Sequence, residues 1–159
     1  MSDMLVKLYG IDWERDPSVS LARTGVAVRR PLAPEKSTVV EWVRTRFGPG
    51  WASECDVSFA NSPISCFIAV ESGGILGFAC YEATCKDFFG PTGVEEAARG
   101  RGIGKALLFR SLFALRERGY AYAVIGGAGP TEFYASCVGA TEIEGSTPGI
   151  YAGTLERLS

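Results

Sequence analysis

Between Val94 and Lys105 the chain reads Val-Glu-Glu-Ala-Ala-Arg-Gly-Arg-Gly-Ile-Gly-Lys, joining an apolar strand-like stretch to a strongly amphipathic one. At the start of a helix the first N–H groups lack intrahelical partners and lie at the positive end of the helix dipole. Glycines let a ligand approach that backbone closely, and Arg99, Arg101 and Lys105 add mobile positive charge. Arg99, Gly100, Arg101, Gly102, Ile103, Gly104 and Lys105 are therefore a candidate cradle for a phosphate or diphosphate. Two familiar phosphate loops fail on spacing. A Walker A loop requires glycine where Arg99 stands and Ser or Thr where Ala106 stands; a dinucleotide fingerprint starting at Gly100 meets Lys105 at its third glycine. What remains is Arg-x-x-Gly-x-Gly, beginning five residues after Val94. The bland reading of the same residues is an exposed strand-to-helix loop with solvated charges.

Composition narrows the chemistry further. The 159 residues include no histidine, which excludes Ser-His-Asp and Cys-His nucleophile systems, histidine zinc sites and a histidine base. Lys and Arg total 16 against 18 Asp and Glu, so the net charge of −2 exerts no general pull on nucleic acid or anionic lipid. Cys55, Cys66, Cys80, Cys85 and Cys137 are odd in number, form no C-x-x-C pair and stand mostly in apolar stretches. They read as reduced, buried small hydrophobes with no metal expected. No run of 18 apolar residues occurs and the N-terminus lacks a signal-peptide pattern, so a cytoplasmic protein that does not enter a membrane is expected.

The elements that must position the turn follow from periodicity. Val6–Tyr9 and Gly25–Arg30 have strand character, with a polar stretch from Gly10 to Arg23 between them. Val39, Val40, Val43 and Phe47 recur at helical spacing after Pro34, and residues 51–63 read as a short helix followed by a loop. Strands are predicted over 65–70 and 75–81, joined at Ser72-Gly73-Gly74, and a third through Phe88 up to Val94. Ile103, Leu107, Leu108, Leu112 and Leu115 share one helical face ending at Gly119. A buried strand over 120–125, a short helix over 131–137 and two strands over 141–144 and 150–155 complete the order. This predicts a single α+β (mixed α/β) domain over residues 1–159, a mostly antiparallel twisted sheet flanked by helices, with residues 1–24 as an extension packed against it.

Val94–Lys105 resembles the first cofactor motif of the GCN5-related N-acetyltransferases, the GNAT superfamily, in which an Arg/Gln-x-x-Gly-x-Gly/Ala turn holds the diphosphate of acetyl-coenzyme A. Phe133-Tyr-Ala-Ser-Cys-Val-Gly139-Ala140 resembles the second motif, one helix and one strand downstream as in that family. Two residues depart from it: Ala140 replaces an aromatic, and Val138 is an insertion before the glycine. The likeness runs from about Gly25 to the C-terminus. It implies acetyl-coenzyme A as cosubstrate without a metal, bound by Val94, residues 99–105, Phe133 and Tyr134. Val94 would offer its N–H to the thioester oxygen, and Tyr134 would protonate or hydrogen-bond the departing thiolate.

With no histidine available, a carboxylate or a water chain must deprotonate the amine, and Asp87, Glu82 and Glu54 are the candidates near the implied cleft. Strand alternation counted from Val94 puts Asp87 on the opposite face from Phe88, Gly90, Thr92 and Val94, so Asp87 requires a bulge to reach the same side. The resemblance also makes the N-terminal half the acceptor side, where Trp13, Trp42, Phe47 and Trp51 supply aromatic surface. Trp51, Glu54 and Phe89 are the candidate acceptor-binding residues. The phrases Phe47-Gly-Pro-Gly-Trp51, Phe89-Gly-Pro-Thr-Gly-Val94 and Glu144-Gly-Ser-Thr-Pro-Gly-Ile-Tyr151 look like those of a bacterial subgroup that includes amino-sugar (glucosamine) acetyltransferases. Three readings stay open: acetylation of a small primary amine, by a monomer or homodimer; a non-catalytic coenzyme A-binding domain; and acetylation of protein or peptide amines.

Overall fold

The computed structural model describes residues 1–156. Its centre is the hairpin of β3 (Cys66–Glu71) and β4 (Gly74–Tyr81), closed by Ser72 and Gly73 at φ +49° and +78°. Two successive positive φ angles match the right-handed twist of paired strands. β5 (Phe88–Val94) pairs with β4, and β2 (Ala27–Arg29) pairs with β3, all antiparallel. Chain order then breaks. β6 (Tyr122–Ile125) runs parallel to β5, β1 (Met4–Lys7) pairs antiparallel with β6, and the two-residue β7 (Thr141–Glu142) caps the edge. The seven strands lie in the order β2-β3-β4-β5-β6-β1-β7.

Each face buries its own apolar layer. The helix α4 (Ile103–Glu117) sinks Ile103, Leu107, Leu108, Leu112 and Leu115 onto one face, against Phe67, Ala79, Tyr81 and Phe89. On the other face α2 (Lys36–Phe47) and α3 (Pro49–Ser58) pack Val39, Val43, Ala52 and Cys55 against Cys66, Ile68, Phe78 and Cys80. Gly48, at φ +98°, allows α3 to start immediately after α2. Two short helices complete the layers: α1 (Ser18–Arg23) and α5 (Thr131–Val138). Among the described residues, no helix is long and apolar enough to cross a membrane.

Three expectations are corrected. The polar stretch before residue 24 contains α1, whose start is held by Asp16 accepting from the Ser18 N–H at 2.9 Å. The short helix expected within residues 51–63 is present and ends at Ser58, because Pro49 suits a first turn and Ala52 and Cys55 face the core. No strand forms over 150–155: Gly149 and Gly153 take φ +61° and +73°, and Gly149–Tyr151 is a 3-10 turn. The place beside β6 is instead filled by β1, so the N-terminal segment is an interior strand rather than an extension laid on the domain, with Met4, Val6 and Leu8 almost fully buried.

Candidate active site

The site forms where two parallel strands separate. β6 stays bonded to β5 through the Val124 N–H to the Asp87 carbonyl (3.0 Å) and the Gly126 N–H to the Phe89 carbonyl (3.2 Å). Directly after Phe89 comes Gly90-Pro91, and proline has no N–H to continue the ladder. The β4–β5 register also slips there, since Tyr81 faces Phe89 while Ala79 faces Thr92, which is a bulge on β5. Beyond it β5 follows β4. The chain leaving β6 is drawn the other way, with the Gly127 N–H bonded to Asp3 Oδ1 (2.7 Å) and the Ala128 N–H to the Ser2 carbonyl (2.9 Å).

The register orients the exposed backbone of the gap. The Glu95 N–H donates to the Leu76 carbonyl at 2.7 Å, so Val94, opposite Gly77, belongs to a non-hydrogen-bonded pair. Its N–H therefore points away from β4, into the gap. The N-terminus of α4 stands at the mouth, where a Cβ on Gly104 would lie 3.6 Å from Val94 Cγ2 and 4.0 Å from the Phe133 ring. Gly100 and Gly102 adopt φ +81° and +85°, which folds the turn so that no side chain caps the helix and its first N–H groups are left without a side-chain acceptor. The three cations differ. Arg99 donates through Nε to the Val94 carbonyl at 3.3 Å, Lys105 stands 5.8 Å from the Phe109 ring centre, and Arg101 is paired with Glu71 at 2.7 Å. Arg101 thus brings its backbone to the turn while its charge is engaged elsewhere.

A cavity of about 790 Å³ opens at the β5–β6 parting; its walls include Trp51, Glu54, Phe89, Thr92, Tyr134 and Tyr151, while Val94, residues 99–105 and Phe133 lie outside its lining. Tyr134 is 5% exposed, with its ring edge-on to Phe89 and Phe133. Burial pushes its phenol up to about 12, so it keeps its proton across the working pH range. Glu54 projects from α3, and its Oε1 accepts from the Thr84 hydroxyl and from the Tyr151 hydroxyl at 3.2 Å. Trp51 stacks on Phe47 (5.3 Å between ring centres), and Phe47 in turn fills the place where a side chain on Gly93 would sit.

Asp87 and Glu82 do not line this cavity. Glu82 is buried and paired with Arg118 Nε at 2.8 Å. The bulge required for Asp87 exists, and it brings Phe89 rather than Phe88 onto the α4 face; but Asp87 precedes the last β5–β6 bonds, at the closed end of the gap. Its Oδ1 is sealed from water without a hydrogen-bond partner among the described residues. Burial, then the charge of Glu82, raises this carboxyl to about 6. Of the four aromatic residues from the N-terminal half, Trp51 alone lines the cavity. Trp42 packs on Phe47 and Phe78, and Trp13 packs on Phe109 and Phe113 of α4. Thr84, Tyr151 and Met1, all absent from the sequence-based site, lie on the cavity wall. Tyr151 closes the Glu144–Tyr151 phrase, whereas no local motif marks Thr84 or Met1, which arrive from a turn and a terminus far apart in the chain.

Residues 62–137 match the acetyltransferase (GNAT) domain. The fold is shared with a GCN5-related glucosamine N-acetyltransferase region of a fungal multi-domain protein (TM-score 0.72, 15% identity, covering 89% of this chain and 19% of that one). It is also shared with a GCN5-related N-acetyltransferase from Sphaerobacter thermophilus (0.66, 22%, 89% and 48%). A GNAT acetyltransferase from Brucella melitensis in complex with acetyl-CoA is similar over 70% of this chain and 80% of its own (0.53, 21%). The chain therefore spans only 19% and 48% of the length of the first two. No curated protein matches the sequence. The likeness to the GNAT domain thus spans residues 62–137, a little under half of the chain.

Proposed function

We propose that this protein transfers the acetyl group of acetyl-coenzyme A to a primary amine of a small molecule by direct attack, without an acyl-enzyme. The observation that carries the reading is the Val94 N–H aimed into the β5–β6 gap, beside the uncapped N-terminus of α4. The N–H groups of residues 100–105 and the Arg99 guanidinium would hold the diphosphate, with Phe133 beside the pantetheine arm. Acetyl-coenzyme A supplies the activated thioester. Glu54, directly or through one water, takes the proton of the acceptor ammonium. The freed amine then attacks the thioester carbon, and the Val94 N–H stabilises the charge that develops on its oxygen. As the C–S bond breaks, Tyr134 donates a hydrogen bond to the sulfur. A phenol held near 12 does not surrender its proton to a thiolate of ordinary basicity, so the sulfur's proton comes from the amine by way of Glu54.

Trp51 and Tyr151 give the cavity aromatic surfaces beside a carboxylate, an arrangement that suits a polar ring bearing an ammonium group. The glucosamine activity named for the fungal region supports placing amino sugars first among the acceptors. The test is thiol release from acetyl-coenzyme A across amino sugars, polyamines, amino acids and peptides, with calorimetric binding of acetyl-coenzyme A in parallel. Turnover with amino sugars is the expected result. Tight binding without turnover on any amine would establish the non-catalytic reading, turnover on peptides alone the protein-directed one, and absence of binding would overturn both cofactor and reaction.

A further inference from the structure

Behind the wall that carries Trp51 and Glu54, three thiols meet. Cys55 comes from α3, Cys66 from β3 and Cys80 from β4; their sulfurs all lie within 4.8 Å of one another and all three residues are 0% exposed. Cys66 and Cys80 stand directly opposite each other, and the Tyr81 N–H bond to the Ser65 carbonyl (3.0 Å) makes theirs the non-hydrogen-bonded kind of pair, in which side chains stand closest. Cys55 closes the triangle from the helix. Val39, Val43, Ala52, Ile68 and Phe78 belong to the same apolar cluster. The polar neighbour is the Ser58 hydroxyl, which donates to the Cys55 carbonyl at 2.6 Å and stands 3.8 Å from Cys80 Sγ. The charged side chain acting on Cys55 is Asp56, a carboxylate, and no cation is among its influences.

We propose that Cys55, Cys66 and Cys80 form a thiol-only binding site for a soft, trivalent oxyacid, with arsenous acid as the ligand of matching charge. Three sulfurs around one centre at ~2.3 Å stand about 4 Å apart or closer, a spacing within reach of small side-chain rotations from the present one. Sulfur-only donors select soft centres. Charge then selects among them. Three thiolates around a monovalent or divalent ion leave net negative charge in an apolar layer next to Asp56, which is costly to bury. Around a trivalent centre the complex is neutral. In the binding reaction each thiol proton leaves with one arsenic hydroxyl as water, three As–O bonds are replaced by three As–S bonds, and nothing is oxidised or reduced. Entry requires α3 to open locally from the sheet, so binding is slower than diffusion.

The test is native mass spectrometry of the reduced full-length chain incubated with arsenite. The expected product gains one arsenic atom less three protons. After unfolding in alkylating reagent, label then appears on Cys85 and Cys137 alone of the five cysteines. The melting temperature rises, because the ligand binds the folded chain. Cys55→Ala and Cys66→Ala each weaken binding by at least ~10-fold, while the Cys85→Ala/Cys137→Ala double variant binds as the parent does. The label map on the unaltered chain decides the matter if the core variants fail to fold. No adduct on the folded protein, an adduct on Cys85 or Cys137, a fall in melting temperature, or zinc bound in preference to arsenite would each overturn the proposal.

Discussion

In the proposed mechanism Tyr134 supplies a hydrogen bond and Glu54 a base, and each role has its own kinetic signature. Because the phenol contributes a hydrogen bond formed fully only as the sulfur departs, Tyr134→Phe is expected to lower kcat by about 10²-fold while leaving acetyl-coenzyme A affinity within about twofold. Steady-state kinetics with calorimetry separates the two. Glu54→Gln keeps an acceptor for Thr84 and Tyr151 but removes the proposed base, so kcat is expected to fall by about 10²–10⁴-fold. An unchanged kcat would remove Glu54 from the mechanism. Asp87 makes a different prediction. Folded, it holds its proton up to about pH 6, whereas unfolded it titrates near 3.8, so the native state binds more protons between these values and loses stability as pH rises through them. Asp87→Asn keeps a residue that tolerates φ +66° and removes the charge. Its melting temperature should exceed the parent's above pH 6 and converge with it below pH 4; partial solvation limits the gain to about 1 kcal/mol.

At the scale of elements, the turn between β5 and α4 was legible because its chemistry is local: glycines at positive φ and a helix start are properties of a dozen consecutive residues. What each cation does was not. Arg101 and Arg99 look equivalent in sequence, but Glu71 on the β3–β4 hairpin engages Arg101, while Arg99 has no carboxylate partner among the described ion pairs. Arg99→Ala is therefore expected to weaken acetyl-coenzyme A binding by about tenfold and reduce its salt dependence, with Arg101→Ala having the smaller effect, read by titration at two ionic strengths. The reverse order would mean that the Glu71 pair opens on binding. The bulge at Gly90-Pro91 was likewise named only as a condition on Asp87. Alternation is a local rule, and register slips are set by the partner strand.

The whole molecule depends on its first strand. β1 lies between β6 and β7, buries Met4 and Val6, and holds the chain after β6 away from β5 through Asp3. Removing residues 1–7 should therefore abolish cooperative folding rather than trim a loose end, since each buried aliphatic side chain contributes about 1.5–3 kcal/mol against a total of about 5–15. Circular dichroism melting of the shortened chain checks this, and a two-state melt near the parent's would refute it. The C-terminal segment stays outside the sheet, because the positive φ of Gly149 and Gly153 breaks extended structure, and it carries Tyr151 to the cavity instead. By itself the sequence determined the alternation of elements, the glycine-arginine turn before a helix and the absence of histidine chemistry, all of which depend on residues close together or on composition. Only the tertiary structure decided that Glu54 rather than Asp87 or Glu82 faces the cavity, that β1 is interior, and that three dispersed cysteines touch. Those outcomes rest on strand order and register, which join residues tens of positions apart through packing that no local spacing encodes.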